Sequence, residues 1–207
     1  QLPIVAEGVE TEEQYLYLKK SRCDMIQGFY FSKPLPKEEF LKMLDWSVEQ
    51  TQYPVAIRVP NVELVSTGII DNTDYSILNK FKVTQKGEKV AILGLGNFYS
   101  LACNVADEIK SRLGFEATII NPVFMTGIDE DLLNSLKSNH NVVVTLEDGV
   151  LDGGFGEKIA RFYGNSDVKV LNYGAKKEFP DRVPMTDLHK RYRLTPEQIL
   201  EDLQRAI

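Results

Sequence analysis

The chain has 207 residues, 43% of them hydrophobic, which is enough for one sizeable core or for one core plus part of another. Its 24 basic and 30 acidic residues give a net charge of -6, which argues against nucleic acid or anionic lipid as a partner. No apolar run approaches the roughly 20 residues of a membrane helix, so we predict a cytoplasmic protein without membrane contact. Cys23, Cys103, His140 and His189 lack the spacing of a metal cage, a disulfide framework or a hydrolytic triad.

The first third of the chain predicts a few elements without a complete core. Residues 1–37 predict a β-α-β fragment, with strands at 4–6 and 25–31 and a helix opened by a capping box at Thr11. Residues 38–50 predict an amphipathic helix, and residues 55–59 predict a strand. The side chains expected to face inward from that helix are Phe40, Leu41, Leu44 and Val48. The polar stretch 61–86 predicts a linker.

From residue 87 to residue 207 strands and helices alternate, which predicts a three-layer α/β/α domain with a mostly parallel sheet. We expect strands at 90–93, 117–120, 142–146 and 168–171. Helices are expected after Gly96, after an N-cap at Asp129, and at 157–163. Thr195 begins a capping box with Pro196 at the first helical position, and the helix that follows buries Ile199, Leu200 and Leu203.

Residues 144–157 join a buried strand, an acidic pair, a glycine-rich turn and a helix start. Glu147 and Asp148 follow the strand, at the edge of an α/β sheet where ligands and partners usually bind. Gly153 and Gly154 permit backbone angles that other residues avoid. The segment therefore predicts a site loop or an interface, with a simple tight turn as the alternative. Glu147 and Asp148 would serve as general acid or base only against a bound substrate, so we favour the interface role.

Two further motifs are weaker. Gly94 and Gly96 stand between a strand and a helix, as in a dinucleotide-binding fingerprint, but Tyr99 occupies the third glycine position. Asn97 or Ser100 is expected to cap that helix. The basic segments 176–179 and 189–193 are short, and we predict solvated faces or intrachain ion pairs there.

Four ordered motifs lie between residues 38 and 207: YPVAIRVP at 53–60, TLEDG at 145–149, GEKIARFYG at 156–164 and RYRLTPEQ at 191–198. Through these motifs, residues 38–207 resemble the C-terminal part of the 1-deoxy-D-xylulose-5-phosphate synthase family, in the transketolase superfamily. This resemblance implies that residues 38–60 end a pyrimidine-binding domain, that 61–86 are a linker, and that 87–207 are a transketolase C-terminal domain.

The family condenses pyruvate with glyceraldehyde 3-phosphate, using thiamine diphosphate and magnesium. The resemblance implies that this chain lacks the cofactor-binding motif and the activating glutamate, holds no cofactor or metal alone and has no catalytic residue. We therefore expect no activity from it by itself. Its expected partners are the missing upstream thiamine-binding domains and further copies of itself. Arg58 matches the first arginine of the family's Arg-x-Pro-Arg segment, but Asn61 replaces the arginine that binds the substrate phosphate.

Residues 1–37 resemble instead the end of an EAL-type cyclic di-GMP phosphodiesterase barrel, through IVAEGVET at 4–11 and IQGFYFSKPLP at 26–36. By that resemblance Glu7 matches a metal-site carboxylate and Gln27 a residue lining the site. The barrel's other acidic ligands are missing, so this site is vestigial. A natural fusion, an assembly artefact and a regulatory graft all remain open. Because short strands with open edges seek partners, we expect this fragment to pack on the α/β domain or to pair between chains.

Three functions follow from the sequence. The first is the C-terminal domain of a synthase-like transferase, incomplete by itself and shaped for association. The second is a non-enzymatic interaction or regulatory module, which Asn61 favours. The third is the remnant of a cyclic di-GMP phosphodiesterase.

Overall fold

A computed structural model describes residues 5–6, 25–26, 37–57 and 74–207, with side chains from residue 42 onward. The chain divides into two compact units, Gln1–Ser76 and Ile77–Ile207. Each unit is described by itself below. The helix predicted at Thr11 lies outside the described residues.

In the first unit, strands β1 (Val5–Ala6) and β2 (Met25–Ile26) pair in parallel, with Val5 opposite Met25. Both lie within the predicted strands. Helix α1 (Lys37–Glu49) is also present as predicted. Residues 55–57 of the predicted strand 55–59 lie in no strand, and residues 58–59 are outside the described residues.

The inward face predicted for α1 is wrong at the positions that the structure describes. Val48 is 75% exposed and Leu44 is 37% exposed. The less exposed side of the helix carries Trp46, whose ring lies 6.1 Å from that of the buried Tyr75. Leu44 is about 200° from Trp46 around the helix axis, so packing the larger indole turns Leu44 outward.

The second unit is a five-stranded sheet covered by helices. Its elements in chain order are β3 (Lys82–Gln85), β4 (Lys89–Gly94), α2 (Tyr99–Leu113), β5 (Thr118–Asn121), α3 (Glu130–Leu136), β6 (His140–Val150), α4 (Phe155–Tyr163), β7 (Lys169–Ala175), α5 (Met185–Arg191) and α6 (Pro196–Ala206). A 3₁₀ turn, Gly96–Phe98, precedes α2. The strand order is β3-β5-β4-β6-β7, and every pair is parallel except β3 with β5. The predicted three-layer α/β/α fold is confirmed.

Alternating side chains of the central strands divide the core into two layers. Val90 and Ile92 of β4 join α2 and α6 in one fully buried cluster. Ala91 and Leu93, on the opposite face of the same strand, join α3 and α4 in the other. The continuous apolar run of β4 is explained by this burial on both faces.

Strand β3 occupies positions 82–85, within the stretch predicted as a linker. Lys82 pairs with Asn121 and Val83 with Ile120, antiparallel to β5 at the edge of the sheet. All four residues of β3 are only half-buried. An edge strand needs little hydrophobic content, and its polar sequence gave no strand signal.

The N-caps predicted at Asp129 and Thr195 are confirmed, and Asp129 also has a second role. One carboxylate oxygen of Asp129 accepts from Leu132 N at 3.2 Å and from Lys80 Nζ at 3.1 Å. The other accepts from Phe81 N at 3.1 Å. Burial opposes ionisation, but these donors outweigh it and hold the pKa of Asp129 below its ordinary value. Asp129 therefore clamps the segment before β3 onto α3.

The amino ends of the parallel strands form the amino edge of the sheet, where His140 is buried. Its Nδ1 lies 3.1 Å from Leu136 O and its Nε2 lies 2.8 Å from Thr118 Oγ1. Thr118 Oγ1 in turn accepts from Gly87 N at 2.9 Å. Because a carbonyl only accepts, the proton is assigned to Nδ1, and Nε2 accepts from the Thr118 hydroxyl. His140 thus has a structural role as a neutral ring.

Candidate functional site

The carboxyl ends of β4, β5, β6 and β7 form the opposite edge, called the carboxyl edge below. From β4 the chain continues to β5 on one side, and β6 lies on the other side, so the sheet has its topological switch point between β4 and β6. Open α/β sheets bind ligands at such a point. Strand β6 runs to Val150, beyond its predicted end, and so includes Glu147 and Asp148.

Glu147 is buried, at 4% exposure, and both of its carboxylate oxygens bind the start of α4. Oε2 accepts from Phe155 N and Oε1 accepts from Gly156 N, each at 2.8 Å. These backbone groups would otherwise lack partners, and the helix N-terminus attracts negative charge. Glu147 caps α4 from eight residues upstream, so its oxygens are already engaged by the protein itself.

The glycine-rich turn makes room for that carboxylate. A Cβ on Gly154 would lie 2.6 Å from Glu147 Oε2 and 2.8 Å from Val150 O. Gly153 has φ +75°, in the left-handed region, with nothing within 4 Å of its would-be Cβ. The turn thus wraps the chain around Glu147 so that α4 can begin against it.

Thr145 is a further polar residue of this region that the sequence analysis did not single out. It is fully buried, and its hydroxyl donates to Asn172 Oδ1 at 2.8 Å. A Cβ on Gly156 would lie 2.6 Å from Thr145 Oγ1. This bond joins β6 to β7, and the start of α4 packs closely against it. The sequence did contain a sign of this buried polar contact, because Thr145 places a hydroxyl inside the otherwise apolar run 142–146.

Asp148 is exposed, unlike its neighbour Glu147. It accepts from Asn97 Nδ2 at 3.3 Å, across the switch point between β4 and β6. Neither Asn97 nor Ser100 caps α2, contrary to the prediction. The N-cap is Phe98, with no side-chain bond, and Ser100 Oγ donates to Asn97 O. Asn97 lies inside the 3₁₀ turn that precedes the helix, and its side-chain amide donates to Asp148 of β6 instead of capping α2.

The basic segment 189–193 forms intrachain contacts, as predicted. Arg191 and the hydroxyl of Tyr192 both bind Glu178. Arg193 makes a two-pronged contact with Asp202, with Nε at 2.8 Å and Nη2 at 2.7 Å from its two oxygens. The contacts to Glu178 fix α5 to the loop that follows β7, and the contact to Asp202 fixes the segment before α6 to the middle of that helix.

The other predicted site residues cannot be placed. Arg58, Asn61, Glu7 and Gln27 lie outside the described residues, so their roles stay predictions. Within residues 5–6, 25–26, 37–57 and 74–207, no three His, Cys, Asp or Glu side chains are grouped to hold a metal ion. None of the helices in the described part of the chain is long and apolar enough to cross a membrane.

Fold and edge geometry together define an α/β domain with a mostly parallel sheet and a capped, glycine-rich carboxyl edge. Residues 79–199 match the transketolase C-terminal domain family, and the chain belongs to that family.

Curated relatives are named 1-deoxy-D-xylulose-5-phosphate synthase. The one from Clostridium tetani is 33% identical over 173 residues, covering 82% of this chain and 27% of the relative. The one from Lachnoclostridium phytofermentans is 29% identical over 205 residues, covering 98% of this chain and 32% of the relative. The chain therefore spans a third or less of the length of these relatives.

Among solved structures, a split-gene transketolase described as an inactive β4 tetramer aligns with a TM-score of 0.56 at 18% identity. The alignment covers 98% of this chain and 57% of that one. This likeness supports the fold.

Residues 1–34 match the EAL domain family, which confirms the second predicted resemblance. The Lachnoclostridium synthase aligns with 98% of the chain, so its alignment also runs through most of that segment. The synthase-like similarity therefore extends further toward the N-terminus than residue 38.

Proposed function

We propose that this chain is the C-terminal part of a thiamine-diphosphate-dependent transferase of the 1-deoxy-D-xylulose-5-phosphate synthase type. It is inactive by itself and acts in the cytoplasm by associating with upstream thiamine-binding domains. One observation carries the proposal: the Lachnoclostridium synthase aligns with 98% of this chain, yet the aligned part is only 32% of that enzyme. The remaining two thirds would supply the cofactor site.

The carboxyl edge supports a role in association. Glu147 would be the natural acid or base at the switch point, but both of its oxygens are held by backbone donors of α4. In this proposal thiamine diphosphate and magnesium are held by the upstream domains. The chain contributes a stable surface beside them.

A homo-oligomer is part of the same proposal. The split-gene transketolase of similar fold is described as a β4 tetramer that is inactive. A chain of this architecture can thus assemble with copies of itself without catalysing a reaction. Light scattering of the purified chain across a concentration series measures the state directly.

Asn61 favours a second candidate, an interaction or regulatory module that has lost the chemistry. A neutral amide cannot replace the bidentate guanidinium that the resemblance implies for binding the substrate phosphate. If this candidate holds, the chain would bind the upstream domains without restoring turnover.

Calorimetric titration with thiamine diphosphate tests the proposal, first on this chain alone and then on its mixture with the upstream part of a synthase. We expect cofactor binding and pyruvate-dependent turnover in the mixture and neither with this chain alone. Association without any turnover would support the interaction module instead. Failure to associate would overturn both candidates.

A further inference from the structure

Exposed hydrophobic side chains accumulate at the carboxyl edge of the second unit. Four of them form what we call the edge patch: Met125 (48% exposed), Val150 (40%), Phe179 (104%) and Met185 (63%). Met125 follows β5, Val150 ends β6, and Phe179 follows β7. Met185 begins α5, whose His189 ring lies 6.1 Å from Phe98 beyond the end of β4. Single exposed apolar residues are ordinary, but their collection at one edge marks an interaction surface.

The backbone at or beside two of these side chains, Met125 and Phe179, is held by hydrogen bonds. Lys158 Nζ donates to Met125 O at 2.8 Å and to Thr126 O at 3.2 Å. Phe179 follows Glu178, which is bound by Arg191 and Tyr192 as described above. Proline at position 180 stiffens the chain on the other side of Phe179. Rigidly mounted aromatic and aliphatic anchors lose little entropy on binding, which is the usual property of a binding hot spot.

The chain also enters the second unit at this edge. Lys82, the first residue of β3, pairs with Asn121, the last residue of β5. The preceding residues lie along the loop after β5, since Thr126 Oγ1 is 3.0 Å from Asn79 Oδ1 and Asp129 clamps Lys80. The segment that leads into β3 therefore lies at the carboxyl edge. A domain joined to the second unit through this segment would meet a nearby surface at a high effective concentration.

We propose that the edge patch is the docking surface for the upstream thiamine-binding domains, an inference that rests on the proposed function. Lys176 and Lys177 are exposed beside Phe179. The matching partner surface is accordingly an apolar pocket for the Phe179 ring with acidic groups on the rim that faces the two lysines. The other occupant to be tested is a second copy of this chain.

The test is a calorimetric titration of this chain with the upstream part of the Clostridium tetani synthase, produced without its C-terminal part. As a control, this upstream fragment must first be shown to bind the C-terminal part of the Clostridium tetani synthase itself. Phe179→Ser is the test variant. Ile207→Ser is the matched control, because Ile207 is 51% exposed and lies at the opposite edge, where Lys169 Nζ donates to Ala206 O at 2.6 Å. We expect Phe179→Ser to raise Kd about 30-fold and Ile207→Ser to leave it unchanged.

The outcomes separate the inference from the proposed function. If the parent chain binds and Phe179→Ser binds equally well, the edge patch is wrong and the proposed function stands. If the parent chain does not bind, the proposed function fails. Light scattering of the same variants tests the second occupant: if Phe179→Ser dissociates an oligomer of this chain and leaves upstream binding intact, the patch joins copies of the chain and the proposal is overturned. Because the Phe179 ring is fully exposed, unfolding by urea should not distinguish the variant from the parent.

Discussion

The two edges of the sheet use their buried polar groups differently. At the amino edge, Gly87, Thr118, His140 and Leu136 form a closed chain of neutral hydrogen bonds. At the carboxyl edge, the carboxylate of Glu147 is buried against the start of α4, and large apolar side chains are exposed elsewhere at the same edge. At both edges the buried polar groups described above find hydrogen-bond partners within the chain. The carboxyl edge differs because it also exposes several large apolar side chains to solvent.

The comparison shows that a buried carboxylate at a switch point does not by itself indicate catalysis. The carboxylate of Glu147 caps α4, and of this acidic pair only Asp148 is exposed. This difference between the two edges can be tested by measuring how much variants at each edge lower the free energy of unfolding.

The largest effect is expected at Glu147. Glu147→Ala removes both acceptors from the buried N–H groups of Phe155 and Gly156, which should lower the free energy of unfolding by about 3 kcal/mol. Urea unfolding measures it. Asp148→Ala, at the adjacent exposed position, should cost no more than about 0.5 kcal/mol. Equal losses at the two positions would contradict the assignment of the cap to Glu147.

The second prediction concerns the glycines around that carboxylate. Gly154→Ala places a methyl group 2.6 Å from Glu147 Oε2 and should cost about 2 kcal/mol or more. Gly153→Ala meets no atom within 4 Å and should lose only the preference of glycine for φ +75°, about 1 kcal/mol. Urea unfolding measures the free energy of unfolding of both variants and shows whether Gly154→Ala loses more stability than Gly153→Ala. The contact with Val150 O, 2.8 Å away, persists in a Glu147→Ala background, so the cost of Gly154→Ala should fall there without vanishing. An undiminished cost would contradict a clash with Glu147.

A third pair of variants compares the edges directly. Thr118→Val leaves both Gly87 N and His140 Nε2 without a partner and should cost about 2 kcal/mol. Thr145→Val leaves only Asn172, which is half-buried, and should cost about 1 kcal/mol. Thermal or urea unfolding ranks the two. The reverse order would mean that the carboxyl edge depends more on its neutral bonds than the geometry indicates.

The smallest effect is a pH dependence at the amino edge. Burial lowers the pKa of His140 in the folded chain, although its bond to Leu136 O opposes this. Above its unfolded pKa of about 6.5 the ring is neutral in both states, and the stability is fully present. As the pH falls below that value the unfolded chain takes up the proton first, so the free energy of unfolding decreases as the pH falls toward about 5.5.

The check is urea unfolding at about pH 7.5 and about pH 5.5 for the parent chain and for His140→Gln. The glutamine variant cannot titrate at position 140, so it should lose less stability on acidification. An identical loss in both proteins would assign the acid sensitivity to other groups.

Local sequence predicted the central sheet and its helix starts well. The caps at Asp129 and Thr195 depend on residues three positions apart, and the buried strands depend on short apolar runs, so both were visible in the sequence. The family resemblance likewise followed from ordered motifs and was confirmed.

The features that the sequence did not reveal depend on contacts distant along the chain. Strand β3 forms only because β5 offers its edge, and the paired residues are 34 (Gln85 with Ile119) to 39 (Lys82 with Asn121) positions apart in the sequence. Glu147 and Asp148 are adjacent and chemically alike, and only the path of the turn to α4 buries one and exposes the other. The side of α1 that is less exposed is set by the contact of Trp46 with Tyr75, which lies 29 residues further along the chain.

The clamp at Asp129 has a mechanical consequence. Lys80 and Phe81 precede β3, so tension on the upstream chain reaches their bonds to Asp129 before it reaches the β3 ladder. Since the same carboxylate caps α3, a pull strong enough to break the clamp would also remove the cap of that helix. Asp129 thus couples the strain of the connecting segment to the integrity of α3.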